Sequence, residues 1–160
     1  VDILGAALKD ENEWVRTYAA ISLGRIGDTR AIIPLIRGLS DRNTEVHRNI
    51  IKAFHNLGPK VFETLKGCAE SEDWSLRRNS AVAIGELREE RGIDLLVLLM
   101  EDPEDRVRQA AAEALGVFPC LKTQSVLTKA LTDKSNHVRW AAIASLAAHG
   151  RPESIQVLID

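Results

Sequence analysis

The residues of this chain that could do covalent or metal chemistry are few, and they are not arranged for it. Four histidines and two cysteines are spread over 160 residues. His55 and His149 have no second His, Asp or Cys at metal-ligand spacing on the same helical face. The sequence also lacks a glycine-rich phosphate loop and a nucleophile elbow. We therefore expect a protein that is not an enzyme, with no catalytic, metal-binding or cofactor-binding residues.

The two cysteines indicate packing and location more than reactivity. Cys68 falls inside a predicted helix and is expected to pack as a small apolar residue, whereas Cys120 follows a helix and is expected to be more accessible. Their spacing predicts neither a disulfide framework nor a metal site, so we expect a reducing, cytoplasmic setting. No apolar run approaches the roughly 20 residues of a membrane span, and no membrane partner is expected.

Binding chemistry is a different matter, because the chain carries three tryptophans and one tyrosine among only 4% aromatic residues. Exposed Trp, Tyr and Arg dominate protein contacts, often with about 2 kcal/mol or more lost when one is truncated. Whether these side chains can make such contacts depends on the elements that hold them.

One skeleton of apolar residues recurs five times along the chain. Its anchors are Val15, Val46, Leu76, Val107 and Val138, at steps of 31, 30, 31 and 31 residues. Eight residues after the anchors stand Leu23, Phe54, Ile84, Leu115 and Leu146. Offsets 0, 4 and 8 from the anchor form one stripe of an α-helix, here called the B helix. Small residues at offset 4 or 5 predict a close approach by a neighbouring helix.

A second helical pattern, the A helix, precedes each B helix, and turn signals such as Gly58-Pro59 separate the two. An antiparallel pair of this size cannot bury its apolar stripe alone, so stacking into an α-solenoid is predicted over a four-helix bundle. We expect a single domain, 1–160, in which the repeat units are approximately 1–28, 29–59, 60–89, 90–120 and 121–151, followed by a final helix at 152–160.

The unit D-x-x-x-x-V-R-x-x-A-A-x-x-L-G-x-I-G-D-x-R-A-I-x-P-L resembles the HEAT-like repeat of the phycobilisome (PBS) lyase type. Residues 10–35 carry the resemblance most fully, and residues 102–116 are nearly as close. The resemblance covers essentially the whole chain. It implies an all-α, right-handed superhelix of the armadillo/HEAT kind, with five helix pairs plus one terminal helix. Such repeats serve many roles, so function is not implied with the fold.

The resemblance also implies a series of paired Asp and Arg side chains, six residues apart. The pairs in this chain are Asp10 with Arg16, Asp102 with Arg108, and Asp133 with Arg139. The Asp is expected to accept backbone N–H groups at the helix start, and the Arg to bridge to the turn of its neighbour. Because His47 and Ser71 interrupt the pattern, we expect a weaker series around the second and third repeats. We interpret the series as structural.

On a helical wheel, offsets −2, −1, 2, 3, 6 and 10 of the B helix point away from the A helix. In a stacked solenoid these positions are predicted to line a concave groove. All three tryptophans and the tyrosine occupy them, together with several arginines. We predict a partner-binding groove that includes Trp14, Tyr18, Arg48, Trp74, Arg78, Arg106, His137 and Trp140. Trp14 and Trp74 lie beside turns, and packing against adjacent repeats is the alternative for them. A cation–π pair, such as an Arg over Trp140, would also suit a purely stabilising role.

Three functions are compatible with such a groove. The first is a non-catalytic interaction or scaffold module that binds a peptide, a helix or an acidic segment of another protein. The second, implied by the resemblance, is a phycobilin lyase-like role in which the groove holds a linear tetrapyrrole. The third is nucleic-acid binding through Arg48, Arg78 and Arg106, which a net charge of −2 and a pI near 6.1 disfavour. His-Glu dipeptides, on which the iron sites of HEAT-like hydroxylases depend, do not occur.

The two ends of the sequence carry a further expectation. The chain starts at Val1 rather than Met, and both terminal helices leave apolar residues without an evident polar cap. A solenoid needs capped ends to stay soluble. We therefore expect either a fragment of a longer solenoid or end-to-end association between chains.

Overall fold

The computed structural model describes residues 1–150, which form α-helices joined by short turns, and no strand occurs among these residues. The helices are α1 (Asp2–Ala7), α2 (Glu13–Ile26), α3 (Ile32–Gly38), α4 (Thr44–Leu57), α5 (Lys60–Ala69), α6 (Trp74–Glu86), α7 (Ile93–Leu99), α8 (Asp105–Leu115), α9 (Leu121–Ala130) and α10 (Asn136–His149). Odd-numbered helices are the predicted A helices and even-numbered helices the B helices. All five predicted pairs are present, and the final helix predicted at 152–160 lies outside the described residues.

The B helices begin at polar caps and end at turns that the sequence marks. The side chains of Asn12, Asn43 and Asp73 accept hydrogen bonds from backbone N–H groups in the first turns of α2, α4 and α6. Such caps satisfy donors that have no partner within the helix. Helix α2 ends at Gly27, whose φ of 68° lies in the left-handed region that glycine adopts without strain.

A helices α3 and α7 are each extended at the start by a 3-10 turn. Before α3, the Asp28 carboxylate accepts the backbone N–H of Arg30 and pairs with its guanidinium at 2.6 Å. Both contacts favour the ionised form and lower the pKa of Asp28 to about 2. Glu89 and Arg91 repeat the arrangement before α7. The same sequence pattern, an acidic residue followed two positions later by Arg, therefore precedes the A helix in both places.

The chain divides into two compact units, Val1–Cys68 and Ala69–Asp160. In the first unit, α2 packs against α1 and α4, and α3 packs against α4. In the second, α8 packs against α6, α7, α9 and α10. In both units, then, B helices lie side by side with an A helix on each, which is the predicted solenoid arrangement. The apolar residues predicted at offset 8 are all fully buried: Leu23, Phe54, Ile84, Leu115 and Leu146.

Candidate protein-binding surface

A series of arginine–aspartate pairs, here called the arginine ladder, joins successive B-helix starts within each unit. Its members are Arg16–Asp41, Arg77–Asp102 and Arg108–Asp133, each with Nε and Nη2 on the two carboxylate oxygens of the residue 25 positions later. The Nε–Oδ2 distances are 2.5, 2.6 and 2.9 Å. The Nη1 group of each arginine donates to the backbone carbonyl six residues earlier. Each guanidinium thus binds two turns at once.

This geometry corrects the predicted pairing. The six-residue spacing brings Arg108 to the carbonyl of Asp102, and not to its carboxylate, because that carboxylate belongs to Arg77. The expectation that the arginine bridges to a neighbouring turn is confirmed. Asp41 and Arg77 both belong to complete pairs. The series nevertheless lacks one arginine–aspartate pair between them, because the equivalent positions are His47 and Ser71. The interruption expected at the second and third repeats is therefore present.

The ladder keeps its carboxylates ionised. Hydrogen bonds from Arg108, opposed by burial, lower the pKa of Asp133, and the backbone N–H of Ser135 adds to the effect. For Asp41 and Asp102, burial acts in the opposite sense, but their arginines and a backbone N–H together hold each pKa below its usual value. Arg108 is itself almost fully buried. The ladder is therefore structural and offers no exposed charge to a ligand.

Neighbouring B helices approach each other most closely at glycines of offset 9. A β-carbon added to Gly24 would lie 2.7 Å from that of Ala53, and one added to Gly85 would lie 3.0 Å from that of Ala114. At Gly116 it would lie 2.5 Å from Ser145 Oγ. Real β-carbons essentially never approach within 3.0 Å, so a side chain at Gly24 or Gly116 would force a neighbour to shift, and one at Gly85 would require Ala114 to give way by a few tenths of an ångström. The predicted close approach exists at offset 5, where the carbonyl of Ala112 in α8 accepts a hydrogen bond from Ser145 Oγ of α10 at 2.9 Å, and the glycines of offset 9 extend it.

Glu13 and Asp105 stand at offset −2, and each accepts a hydrogen bond from the next repeat. Asn43 Nδ2 donates to Glu13 Oε2 at 2.5 Å, and Ser135 Oγ donates to Asp105 Oδ2 at 3.0 Å. Trp74 occupies the same offset, and its ring lies beneath the guanidinium of Arg106, with Cζ 5.2 Å from the ring centroid. This is a cation–π contact between the starts of α6 and α8. The adjacent-repeat packing considered for Trp74 is present, and within residues 1–150 the cation–π pair forms on Trp74 and not on Trp140.

Trp140 is held differently, on the outer side of α10. The rings of Trp140 and His137, one turn apart, meet edge to face with centroids 5.6 Å apart and planes at 90°. Trp140 remains 61% exposed, compared with 36% for Trp74. Among residues 1–150, the Arg106 guanidinium forms no hydrogen bond or ion pair. We call Trp74, Arg106, His137 and Trp140 the aromatic surface.

The other predicted site residues have different surroundings. Trp14 is exposed at the start of α2 and, within the described part of the chain, has no aromatic or cation–π partner. Arg48 pairs with Glu45 on its own helix, with Nη1–Oε2 at 2.5 Å. Arg78 is half-buried and donates to Asn79 Oδ1. In the described part of the chain, these three residues therefore make no hydrogen bond, ion pair or ring contact with the aromatic surface.

Tyr18 shows that offset 3 does not point outward as the helical wheel predicted. The equivalent residues in the later repeats are buried: Asn49, Asn79, Ala110 and Ala141. Offset 3 therefore belongs to the packed side of a B helix. Tyr18 is exposed because no described helix covers that side of α2.

A shallow pocket that sequence reasoning did not identify lies between the later turns of α6 and α8. It has a volume of about 250 Å³ and is lined by Val82, Glu86, Arg88, Glu113 and Val117, with Gly85 and small alanines at its base. Val82, Glu86, Glu113 and Val117 stand at offsets 6 and 10, which the helical wheel had placed on the outward side of the B helix. The predicted binding groove was made up of aromatic and basic side chains, so it did not include the two glutamates.

The cysteines and histidines of residues 1–150 do not gather into a metal-binding cluster. Cys68 is buried, with burial raising the pKa of its thiol, and Cys120 is half-buried, both as expected. His149 is buried with Nε2 3.3 Å from the carbonyl of Leu115, and His55 is exposed. Over residues 1–150, no three His, Cys, Asp or Glu side chains cluster to hold a metal ion.

No described helix combines the length and apolar character that a membrane crossing requires.

Known proteins resemble this chain mainly in its repeats. Protein YibA of Escherichia coli K12 is 30% identical over 104 residues, which are 64% of this chain and 37% of YibA. The crystal structure of YibA matches 99% of this chain and 63% of its own with a TM-score of 0.59 and 24% identity. The matched part covers less than two thirds of YibA in both comparisons.

Two further solved structures share the fold. The CpcE–CpcF complex of phycocyanin lyase from Nostoc sp. PCC7120 matches 99% of this chain and 68% of its own, with a TM-score of 0.59 and 23% identity. A designed armadillo repeat protein in complex with the peptide (KR)4 matches 98% and 85%, with a TM-score of 0.50 and 18% identity. At these identities the likeness shows the α-solenoid fold alone. The family model for HEAT repeats matches residues 1–48, 34–116 and 94–160, and the chain therefore belongs to the HEAT repeat family.

Proposed function

We propose that this chain is a non-catalytic protein-binding module, and that the aromatic surface binds a peptide or helix carrying an acidic residue. The observation that carries the proposal is the position of the Arg106 guanidinium over the exposed Trp74 ring, with Cζ 5.2 Å from the ring centroid. Because this guanidinium forms no hydrogen bond or ion pair within residues 1–150, its N–H groups are available to bind a carboxylate with two parallel hydrogen bonds.

The exposed rings supply the apolar part of the same contact. His137 limits the rotation of Trp140, and Arg106 limits that of Trp74, so binding costs less side-chain entropy than it would with free rings. Among residues 1–150 Trp14 has no such support, and Glu45 already neutralises Arg48. We therefore assign the main contact to the second unit, with Trp14 and Arg48 as a minor patch.

The solved relatives are consistent with a binding role. One designed armadillo protein binds the peptide (KR)4, and CpcE forms a complex with CpcF. Those statements concern the relatives. For this chain, Arg106 and His137 favour an acidic ligand over a basic one, and a basic ligand would instead point to the pocket that Glu86 and Glu113 line.

Selection from a displayed library of random peptides tests the proposal. We expect enriched peptides to combine an acidic residue with apolar neighbours, and Trp140→Ala or Arg106→Ala to weaken them by about 2 kcal/mol, or roughly thirtyfold. Leu98→Ala is the matched control, because Leu98 is equally exposed but lies on A helix α7. Enrichment of basic peptides, or equal binding by all three variants and the parent, would reject the aromatic surface as the site.

Bilin handling is the competing function, implied by resemblance to phycobilin lyases. If the aromatic surface held a linear tetrapyrrole, mixing with a free bilin would change its visible absorbance, and Trp140→Ala would remove the change. We expect no change with the parent protein. A bilin spectrum that depends on Trp140 would replace the peptide with a chromophore as the ligand.

A further inference from the structure

The pocket between α6 and α8 combines apolar walls with charged residues. Val82 and Val117 line it together with glycine and alanine residues. Glu86, Arg88 and Glu113 also line it, and they supply two negative charges and one positive. Its volume of about 250 Å³ is below the roughly 300–1,000 Å³ of small-molecule sites. The pocket therefore has room for a single long side chain and an excess of one negative charge.

The Glu113 carboxylate is held in place without being neutralised. Its Oε1 accepts a hydrogen bond from the uncharged Gln109 Nε2 at 2.9 Å, and among residues 1–150 it forms no ion pair. The pocket also lies at the last turns of α6 and α8, where the negative end of each helix dipole favours a cation. Both features favour a positively charged ligand group.

Stacking of the B helices does not require these carboxylates. Glu86 stands at offset 10 of α6, and Glu113 stands at offset 6 of α8. The same two offsets hold different side chains in the other B-helix pairs that pack together within a unit: Arg25 and Lys52 for α2 with α4, and Val117 and Ala144 for α8 with α10. Since basic, acidic and apolar residues all occur at these positions, the two glutamates are free to serve a ligand.

The groove between α6 and α8 is positive at one end and negative at the other. Arg106 lies at its start, and Glu86 and Glu113 lie at its end. Their offsets of −1, 10 and 6 fall within about 40° on a helical wheel, so the three side chains lie on one side of their helices. The groove between α2 and α4 has the opposite order of charge, with Glu45 at the position of Arg106 and Lys52 at that of Glu113.

We propose that the peptide bound by the aromatic surface also places a long basic side chain, Lys or Arg, in this pocket. The inference rests on the proposed function and specifies its ligand. The methylene groups would pack on Val82 and Val117 while the charged end meets the two carboxylates. From offset −1 to the middle of the pocket the helices rise about 14 Å, which is about four residues of an extended chain. The ligand therefore carries an acidic residue for Arg106 and a basic residue about four positions from it.

Peptides selected from the displayed random library give the first readout, which is the spacing between their acidic and basic residues. A double-mutant cycle gives the second, with one selected peptide and the same peptide in which norleucine replaces its basic residue. Glu113→Gln keeps an acceptor for Gln109 and removes the charge. We expect it to weaken the selected peptide about threefold to fivefold and to leave the norleucine peptide unchanged. Lys52→Gln, at the same offset of α4, is the matched control and should change neither affinity.

Reversal of the charge in both molecules sharpens the test. Glu113→Lys should weaken the selected peptide further and improve binding of a peptide that carries Glu in place of its basic residue. Peptides that depend on Arg106 but have no basic residue at a fixed spacing would overturn this inference and leave the proposed function intact. An equal effect of Glu113→Gln on the two peptides of the cycle would do the same. Selected peptides that bind without Arg106 and Trp140 would overturn the proposed function, and this inference with it.

Discussion

The B helices of the two units share their inner contacts and differ in their outer ones. In Val1–Cys68, Arg16 binds Asp41 and Gly24 lies against Ala53. In Ala69–Asp160, the same offsets give Arg108 on Asp133 and Gly85 against Ala114. The aromatic residues differ: Trp14 stands without a ring partner in the described chain, whereas Trp74 and Trp140 are each held by a cationic or imidazole neighbour.

The difference separates what stacking requires from what it leaves free. An arginine that binds two turns and a glycine that admits a neighbouring helix have few substitutes, because each is surrounded by protein. The outer offsets meet solvent and can vary at little cost to stability. In the second unit the variable residues form two supported pairs, Trp74 with Arg106 and Trp140 with His137, whereas Trp14 of the first unit has no such partner among residues 1–150.

Acidification should have the largest effect on the shared inner contacts, because it acts on every arginine-ladder pair at once. The folded pKa values of Asp41, Asp102 and Asp133 are lowered, so their stabilisation is complete above the ordinary Asp pKa near 3.9 and is lost as pH falls through that value toward the folded pKa. Denaturant unfolding across acidic pH measures the loss. Asp133→Asn should have a lower unfolding free energy than the parent protein at neutral pH, but this free energy should fall less on acidification. An equal fall in the parent and the variant would contradict the role given to the Asp133 carboxylate.

Removal of one ladder arginine should distinguish the two units. Arg108→Ala leaves a half-buried Asp133 carboxylate and two turn carbonyls without their donor, and we expect a loss of about 3 kcal/mol in unfolding free energy. Arg16→Ala should cost less, because Arg16 is more exposed. Urea unfolding of both variants measures the difference, and equal losses would show that burial does not set the strength of the pair.

A methyl group at a glycine contact should be a smaller perturbation. Gly85→Ala places a β-carbon 3.0 Å from the backbone of Ala114, and we expect a loss of about 1–2 kcal/mol after the gain in helix propensity. Gly67 in α5 has nothing within 4 Å of its added β-carbon, so Gly67→Ala should instead stabilise the protein by about 0.5–1 kcal/mol. Thermal unfolding of the two variants should therefore shift in opposite directions.

Loss of the cation–π contact should have the smallest effect on stability. Arg106→Ala uncovers the Trp74 ring and should cost about 0.5–1 kcal/mol. Tryptophan fluorescence should move to longer wavelength in this variant. Arg48→Ala, which removes only an exposed pair with Glu45, is the control and should leave the spectrum unchanged.

The sequence predicted the fold well because the repeat imposes the same constraint five times. The offset-8 residues from Leu23 to Leu146 are all buried, and each predicted helix pair is present in residues 1–150. The 3-10 turn before α3 was not predicted, since it depends on the local cap by Asp28 rather than on apolar spacing.

The candidate surface was harder to predict, because a helical wheel describes one helix and exposure depends on its neighbours. Offset 3 is outward on an isolated helix, yet Asn49 and Asn79 are buried at that offset and Tyr18 is not. The partner of Arg16 was missed for a related reason, since Asp41 is 25 residues away and reaches it only after stacking.

Tryptophan indole N–H signals provide the most direct test of the aromatic surface, because the chain has only three tryptophans. A peptide selected by the protein would be titrated while these signals are followed by NMR. The account predicts that the Trp74 and Trp140 signals move with one shared affinity and that Trp14 stays in place. Movement of Trp14 alone, or saturation by the peptide with all three signals unmoved, would contradict it.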